Sequence, residues 1–86
     1  MVIKLAYNND CENLFYDLTK ALPENVSLEA CNESLYKERK KAFKIKGGFS
    51  ARATPFAVLY NDENKAIKAF YSENSSCTLD NILNSI

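Results

Sequence analysis

Apolar and polar positions alternate through Val2-Ile3-Lys4-Leu5-Ala6-Tyr7, a β-rich run that breaks at Asn8-Asn9-Asp10. The period then changes. Cys11, Leu14, Phe15, Leu18, Ala21 and Leu22 recur at three- and four-residue spacing, which is one stripe of an amphipathic helix. Asn9, with Glu12 three residues on, has the form of a capping box, and Asp10 is an alternative cap. Either choice leaves Cys11 in the first turn. Pro23 ends this helix, because a proline disfavours helical backbone in the residue before it. Val26, Leu28 and Ala30 alternate with Ser27, Glu29 and Cys31 and predict a second short strand. A second helix is expected from Asn32 or Ser34, burying Leu35, Ala42 and Phe43 and stopping at Gly47-Gly48.

Pro55 then opens the continuous apolar run Phe56-Ala57-Val58-Leu59-Tyr60, the pattern of a buried strand. Proline is tolerated at a strand's start, where no ladder hydrogen bond is asked of it, and an X–Pro bond is the kind that can be cis. Asn61-Asp62-Glu63-Asn64 has hairpin length, and residues 66–71 form the returning strand, with Lys68 marking a solvated or edge face. A polar loop over 72–76 leads to Thr78, the cap of a last helix carrying Leu79, Ile82, Leu83 and Ile86. The predicted order is β-α-β-α-β-β-α in one α/β domain spanning 1–86. The first two strands need a right-handed crossover and so run parallel, whereas the last two form an antiparallel hairpin. A small mixed sheet covered by helices follows.

Composition narrows the chemistry. Eleven basic and eleven acidic residues cancel, which argues against generic attraction to nucleic acid or anionic membranes. No apolar run approaches the ~20 residues of a membrane span, and Met1-Val2-Ile3-Lys4-Leu5 lacks the apolar stretch of a signal peptide. There is no histidine, so imidazole catalysis and imidazole metal ligands are excluded. The three cysteines, Cys11, Cys31 and Cys77, have no zinc-type spacing, and an odd number cannot all pair within one chain. A reducing cytoplasmic setting, with no resident metal, is the expectation.

Cys11 carries the main chemical interest. At a helix start it meets unpaired amide hydrogens and the positive end of the helix dipole, both of which favour a thiolate. Against this, Asp10 and Glu12 flank it, and it lies on the apolar stripe, where a free cysteine also serves as a small buried hydrophobe. Both readings stand at this level. Cys31 and Cys77 read as ordinary core or surface residues, with a distant resolving thiol as the alternative for Cys77, next to the start of the last helix, although sequence does not place it near Cys11. The basic run containing Lys37, Lys40, Lys41 and Lys44 reads as a solvated helix face, with docking of an acidic protein partner as its functional alternative. Nucleic acid is disfavoured, because Tyr36, Phe43 and Phe49 lack the spacing of a stacking platform.

Two segments together resemble the thioredoxin fold in its short, glutaredoxin-sized form. Leu5-Ala6-Tyr7-Asn8-Asn9-Asp10-Cys11-Glu12-Asn13-Leu14 matches the strand, short loop and cysteine-led helix of the family's active-site segment, and Ala53-Thr54-Pro55-Phe56 matches its cis-proline loop. The resemblance implies a four-stranded mixed sheet ordered second, first, third, fourth strand, with helices on both faces. It implies Pro55 beside Cys11, and Thr54 pairing through its backbone with the substrate's cysteine segment, with Asn9 and Asp10 bordering the same site. Leu14 stands where the family's CxxC motif has its resolving cysteine, so disulfide exchange would be monothiol. The lysine that often precedes that motif is replaced by Asn8 or Asn9, and Tyr71-Ser72-Glu73-Asn74 replaces the glycine pair that follows the fourth strand. The implied partners are a disulfide-containing protein or glutathione, the latter as co-substrate rather than as a tightly bound cofactor. The alternative is a non-catalytic thioredoxin-fold binding module or assembly component.

Overall fold

Five consecutive buried residues form the central strand, because a strand covered on both faces has no polar side to show. The computed structural model describes residues 1–32 and 54–86. Within them the chain runs through β1 (Val2–Tyr7), a 3-10 turn (Asn9–Cys11), α1 (Glu12–Ala21), β2 (Ser27–Asn32), β3 (Phe56–Tyr60), β4 (Ala66–Tyr71) and α2 (Leu79–Leu83). The four strands make one mixed sheet ordered β2-β1-β3-β4. β1 and β2 are parallel, with Ile3 opposite Leu28 and Tyr7 opposite Asn32. β1 and β3 are antiparallel, with Ala6 opposite Phe56, and so are β3 and β4, with Phe56 opposite Tyr71.

Alternation along the strands sorts side chains onto two faces. Ile3, Leu5, Ala57, Leu59 and Phe70 share one core with Leu18 of α1 and Ile82 of α2. Ala6, Phe56, Val58 and Tyr60 form a second cluster on the opposite face. Lys4 belongs to that second side. Its ammonium sits 5.0 Å from the centre of the Tyr60 ring and 3.6 Å from a Glu29 carboxylate oxygen, so its charge is met while its stem covers apolar surface.

The hairpin between β3 and β4 is closed by both the backbone and the side chain of Asn61. Asn61 Oδ1 accepts the backbone N–H groups of Glu63 and Lys65, each at 3.0 Å, and Asn64 takes the left-handed conformation at φ 62°, which asparagine tolerates better than most residues. A bulge between Leu59 and Tyr60 re-registers the return strand, so that Leu59 faces Lys68 and Tyr60 faces Ala66. Lys68 and Ile67 are exposed on this edge.

Several expectations are corrected by these elements. Neither Asn9 nor Asp10 caps α1. Asn8 caps a 3-10 turn instead, accepting the Asp10 N–H at 3.0 Å on its Oδ1, and Cys11 is the N-cap residue of α1. The turn consumes the three residues between the cap and the helix, which moves the helix start to Glu12, two positions along from an Asn9 cap's start and one from an Asp10 cap's. Asn32 is the last residue of β2, since the β1 ladder extends to Tyr7. Ala21 and Ala30 are exposed, because α1 ends at Ala21 and β2 is an edge strand with only β1 beside it in the described sheet. Ile86 lies beyond α2 and is exposed as well. The two described α-helices pack on the same face of the sheet, since Leu18 and Ile82 meet in one cluster. The predicted second helix, its glycine stop and the basic residues Lys37, Lys40, Lys41 and Lys44 lie outside the described residues.

Thr78 caps α2 as its sequence position suggested, its Oγ1 accepting the Asn81 N–H at 3.2 Å. For so short a helix the cap is a large share of local stability. Thr78→Ala should cost about 1 kcal/mol, read as a lowered urea midpoint with an unchanged m-value.

Candidate functional site

Register places the three chemically interesting loops at one end of the sheet. β1 runs out at Tyr7 into the Asn8–Cys11 turn, and β3 enters at Phe56, opposite Ala6, directly after Thr54 and Pro55. β2 ends at Asn32, opposite Tyr7, and β4 ends at Tyr71, opposite Phe56. Asn9, Asp10, Cys11, Thr54 and Pro55 therefore gather outside the carboxyl ends of β1, β2 and β4, the side on which open α/β sheets hold their ligands. The Thr54–Pro55 peptide bond is cis.

Cys11 sits at the junction of the 3-10 turn and α1, and it is half-buried. Its sulfur accepts the Asn8 N–H at 3.2 Å and has the Asn8 Oδ1 at 3.2 Å as an acceptor for the thiol proton. The Asn8 carbonyl is a second acceptor at 3.6 Å. One residue thus supplies both the donor and the acceptors that hold the thiol. The N–H contact needs no proton on sulfur, whereas the Oδ1 contact does. Sequence reasoning missed Asn8. It weighed only Asn9 and Asp10 as caps, and nothing local marked Asn8, the polar residue before them, as the one that caps.

Neighbouring groups complete the setting. Asn32 Nδ2 donates to Asn9 Oδ1 at 3.0 Å, tying the end of β2 to the turn that carries Cys11. Tyr7 stacks on Phe15 with ring centroids 5.0 Å apart and planes 9° apart, which pins the first turn of α1 against the end of β1. Burial first, then the Tyr16 hydroxyl and the Glu12 carboxylate, raise the Tyr7 hydroxyl above its usual 10.0. Asn9 and Asp10 are exposed, while Thr54 and Pro55 are half-buried.

The other two cysteines differ from Cys11 and from each other. Cys31 is half-buried and lies opposite Ala6, whose side chain belongs to the second face of the sheet. Cys77 is buried in the first core, just ahead of the Thr78 cap. Burial, and after it the nearby Cys11 sulfur, push the Cys77 thiol up to about 12. The two cysteines lie at opposite ends of the chain, so sequence does not place them relative to one another.

Among the described residues no three His, Cys, Asp or Glu side chains stand close enough to hold a metal ion. None of the described helices is long and apolar enough to cross a membrane. Comparison with protein families, curated proteins and solved structures finds no match for the chain.

Proposed function

We propose that this chain is a glutaredoxin-like thiol–disulfide oxidoreductase that works through Cys11 alone. The observation that carries the reading is the half-buried Cys11 sulfur at the β1–α1 junction, on the same sheet end as Thr54 and Pro55. The strand order β2-β1-β3-β4, with its parallel and antiparallel pairs, supports it as well, being the order of the fold that the sequence resembles. In the reaction the Cys11 thiolate attacks one sulfur of a substrate disulfide. A mixed disulfide forms and the other substrate sulfur leaves as a thiolate. Thr54, through its backbone, and Pro55 hold the extended substrate segment alongside, bordered by Asn9 and Asp10. An external thiol, glutathione by this reading, then attacks the mixed disulfide, takes up the substrate half and returns Cys11 to its reduced form. The setting is the reducing cytoplasm.

A second reading has its own support. Leu14, at the position of the absent resolving cysteine, packs against the main core, and the carboxylates of Asp10 and Glu12 flank the thiol in sequence. A non-catalytic binding module of the same fold would use this sheet end, or the basic residues Lys37, Lys40, Lys41 and Lys44, to join an acidic partner.

Alkylation of the native protein at mildly acidic pH separates the two. Rapid, selective modification of Cys11, with Cys77 silent inside the core until denaturant is added, is the expected result for the oxidoreductase. Uniformly slow labelling at all three cysteines would leave only the binding module.

A further inference from the structure

Three rings step outward along α1 from the Cys11 turn. Tyr7 stacks on Phe15, and Phe15 meets Tyr16 edge-on, with ring centroids 5.4 Å apart and planes at 60°. The strip runs from the half-buried Tyr7 and Phe15 to Tyr16, which is 52% exposed. The other large apolar side chains exposed among the described residues, Ile67 and Ile86, lie on β4 and past the end of α2. Phe15 stands one helical turn beyond Cys11. Glu12 and Tyr16, four residues apart on α1, are neighbours on the helix surface.

The same end of the molecule is anionic. β1 and β4 are each antiparallel to β3 and therefore parallel to each other, so α1 and α2 both start from the end that carries Cys11, Thr54 and Pro55. Asp10 lies in the turn before Cys11, and Glu12 and Asp80 lie in the first turns of the two helices. The cations among the described residues stand elsewhere. Lys20 is in the last turn of α1, and Lys65 is in the hairpin at the far end of the sheet. Lys4 and Lys68 sit within strands, the first between Glu29 and Tyr60, the second reaching Ser85 Oγ at 3.2 Å past the end of α2.

We infer that this rim selects the substrate: a disulfide whose cysteine lies in a basic segment, with an arginine that docks on Tyr16 and Glu12. The inference rests on the reading of Cys11 as the nucleophile and names its substrate class. An exposed ring face beside a carboxylate attracts a cation twice, through the ring quadrupole and through the opposite charge, and offers an anion neither. Guanidinium suits the pair better than ammonium, because it stacks flat on a ring while its N–H groups fork to a carboxylate. Distance sets the register. Tyr16 lies roughly 7–8 Å along the α1 axis from Cys11, at about 1.5 Å per residue. About two residues of extended substrate span that length, at ~3.3 Å each. Glutathione, whose net charge is negative, gains nothing from this rim, so the rim separates the protein substrate from the reducing thiol.

The test uses the whole reduced protein and three peptides, each with one cysteine activated as its 2-thiopyridyl mixed disulfide. One peptide has arginine two residues to either side of the cysteine, one has alanine there and one has glutamate. The Cys11 thiolate bonds to the peptide sulfur, and thiopyridone leaves with the electron pair of the broken bond. Attachment to Cys11 is timed by acid quench and mapped by mass spectrometry. The arginine peptide should react at least about tenfold faster than the glutamate peptide at low ionic strength. In about 1 M salt the difference should shrink to within about twofold. Tyr16→Ala should slow the arginine peptide about two- to fivefold and leave the alanine peptide unchanged, whereas Tyr16→Phe, which keeps the ring face, should match wild type. Equal rates for the three peptides, or a preference that both Tyr16→Ala and Glu12→Gln leave intact, overturn the role of the rim while Cys11 stands as the nucleophile. A salt-sensitive dimer in sedimentation, with no difference among the peptides, assigns the rim to the basic run of a second copy and overturns the inference likewise. Failure of every peptide to attach to Cys11 removes both the inference and the reading beneath it.

Discussion

Replacing Cys11 by serine should reduce deglutathionylation to the uncatalysed rate, a loss of at least about a hundredfold, because the thiolate and not a hydroxyl is the attacking group. The assay follows release of glutathione from a mixed-disulfide substrate with glutathione as reductant. The serine hydroxyl keeps an acceptor for the Asn8 N–H and a proton for Asn8 Oδ1, the contacts that the thiol makes at 3.2 Å. The turn and α1 should therefore survive, and circular dichroism should match wild type. A variant that is folded and fully active would refute the role given to Cys11. Cys31→Ala, at a half-buried position facing the opposite side of the sheet, serves as the control and should retain activity.

The largest stability effect is expected at Phe70. Its ring is fully buried between the sheet and the two helices, in the cluster that joins Ile3, Leu5, Leu18 and Ile82. Phe70→Ala removes the ring and leaves a cavity that its neighbours fill only in part, at a cost of about 3–5 kcal/mol. An 86-residue chain of ordinary stability has roughly 4–13 kcal/mol in total, so this one substitution takes a large share of the margin. Urea titration reads the effect as a midpoint lowered by about 2–4 M. A fall of less than about 1 M would show that Phe70 is not the keystone of this core. Ile67, on the same strand but 49% exposed, provides the contrast: Ile67→Ser should stay within about 0.5 kcal/mol of wild type.

Legibility in the sequence followed the strength of the local signal. β1, β3 and β4 were readable to the residue, because alternation and a buried apolar run are statements about a single strand and its two faces. The asparagine turn and the Thr78 cap were readable for the same reason, since each hydrogen bond is made within four residues. Boundaries set by competition were not. Asn8, Asn9 and Asp10 can all cap, and the choice of Asn8 depends on where β1 stops pairing with β2 and β3, which is a long-range matter. Ala30 looked like a buried strand position but is exposed, because alternation cannot say whether a strand is central or at an edge.

The candidate site divides along the same line. Residue chemistry picked out Cys11 and Pro55, because a cysteine at a strand-to-helix junction and a proline at a strand entrance are local patterns, and the family resemblance added Thr54. Their convergence comes from the ladder that sets Ala6 against Phe56, across a separation of 50 positions. The placing of α1 beside α2 depends on more still: two strand pairings, β1 with β3 and β3 with β4, must hold before both helices start from the same end. Periodicity records what each segment buries. It holds no record of which segment it is buried against, since one apolar face accepts many partners and only closure of the whole sheet selects among them.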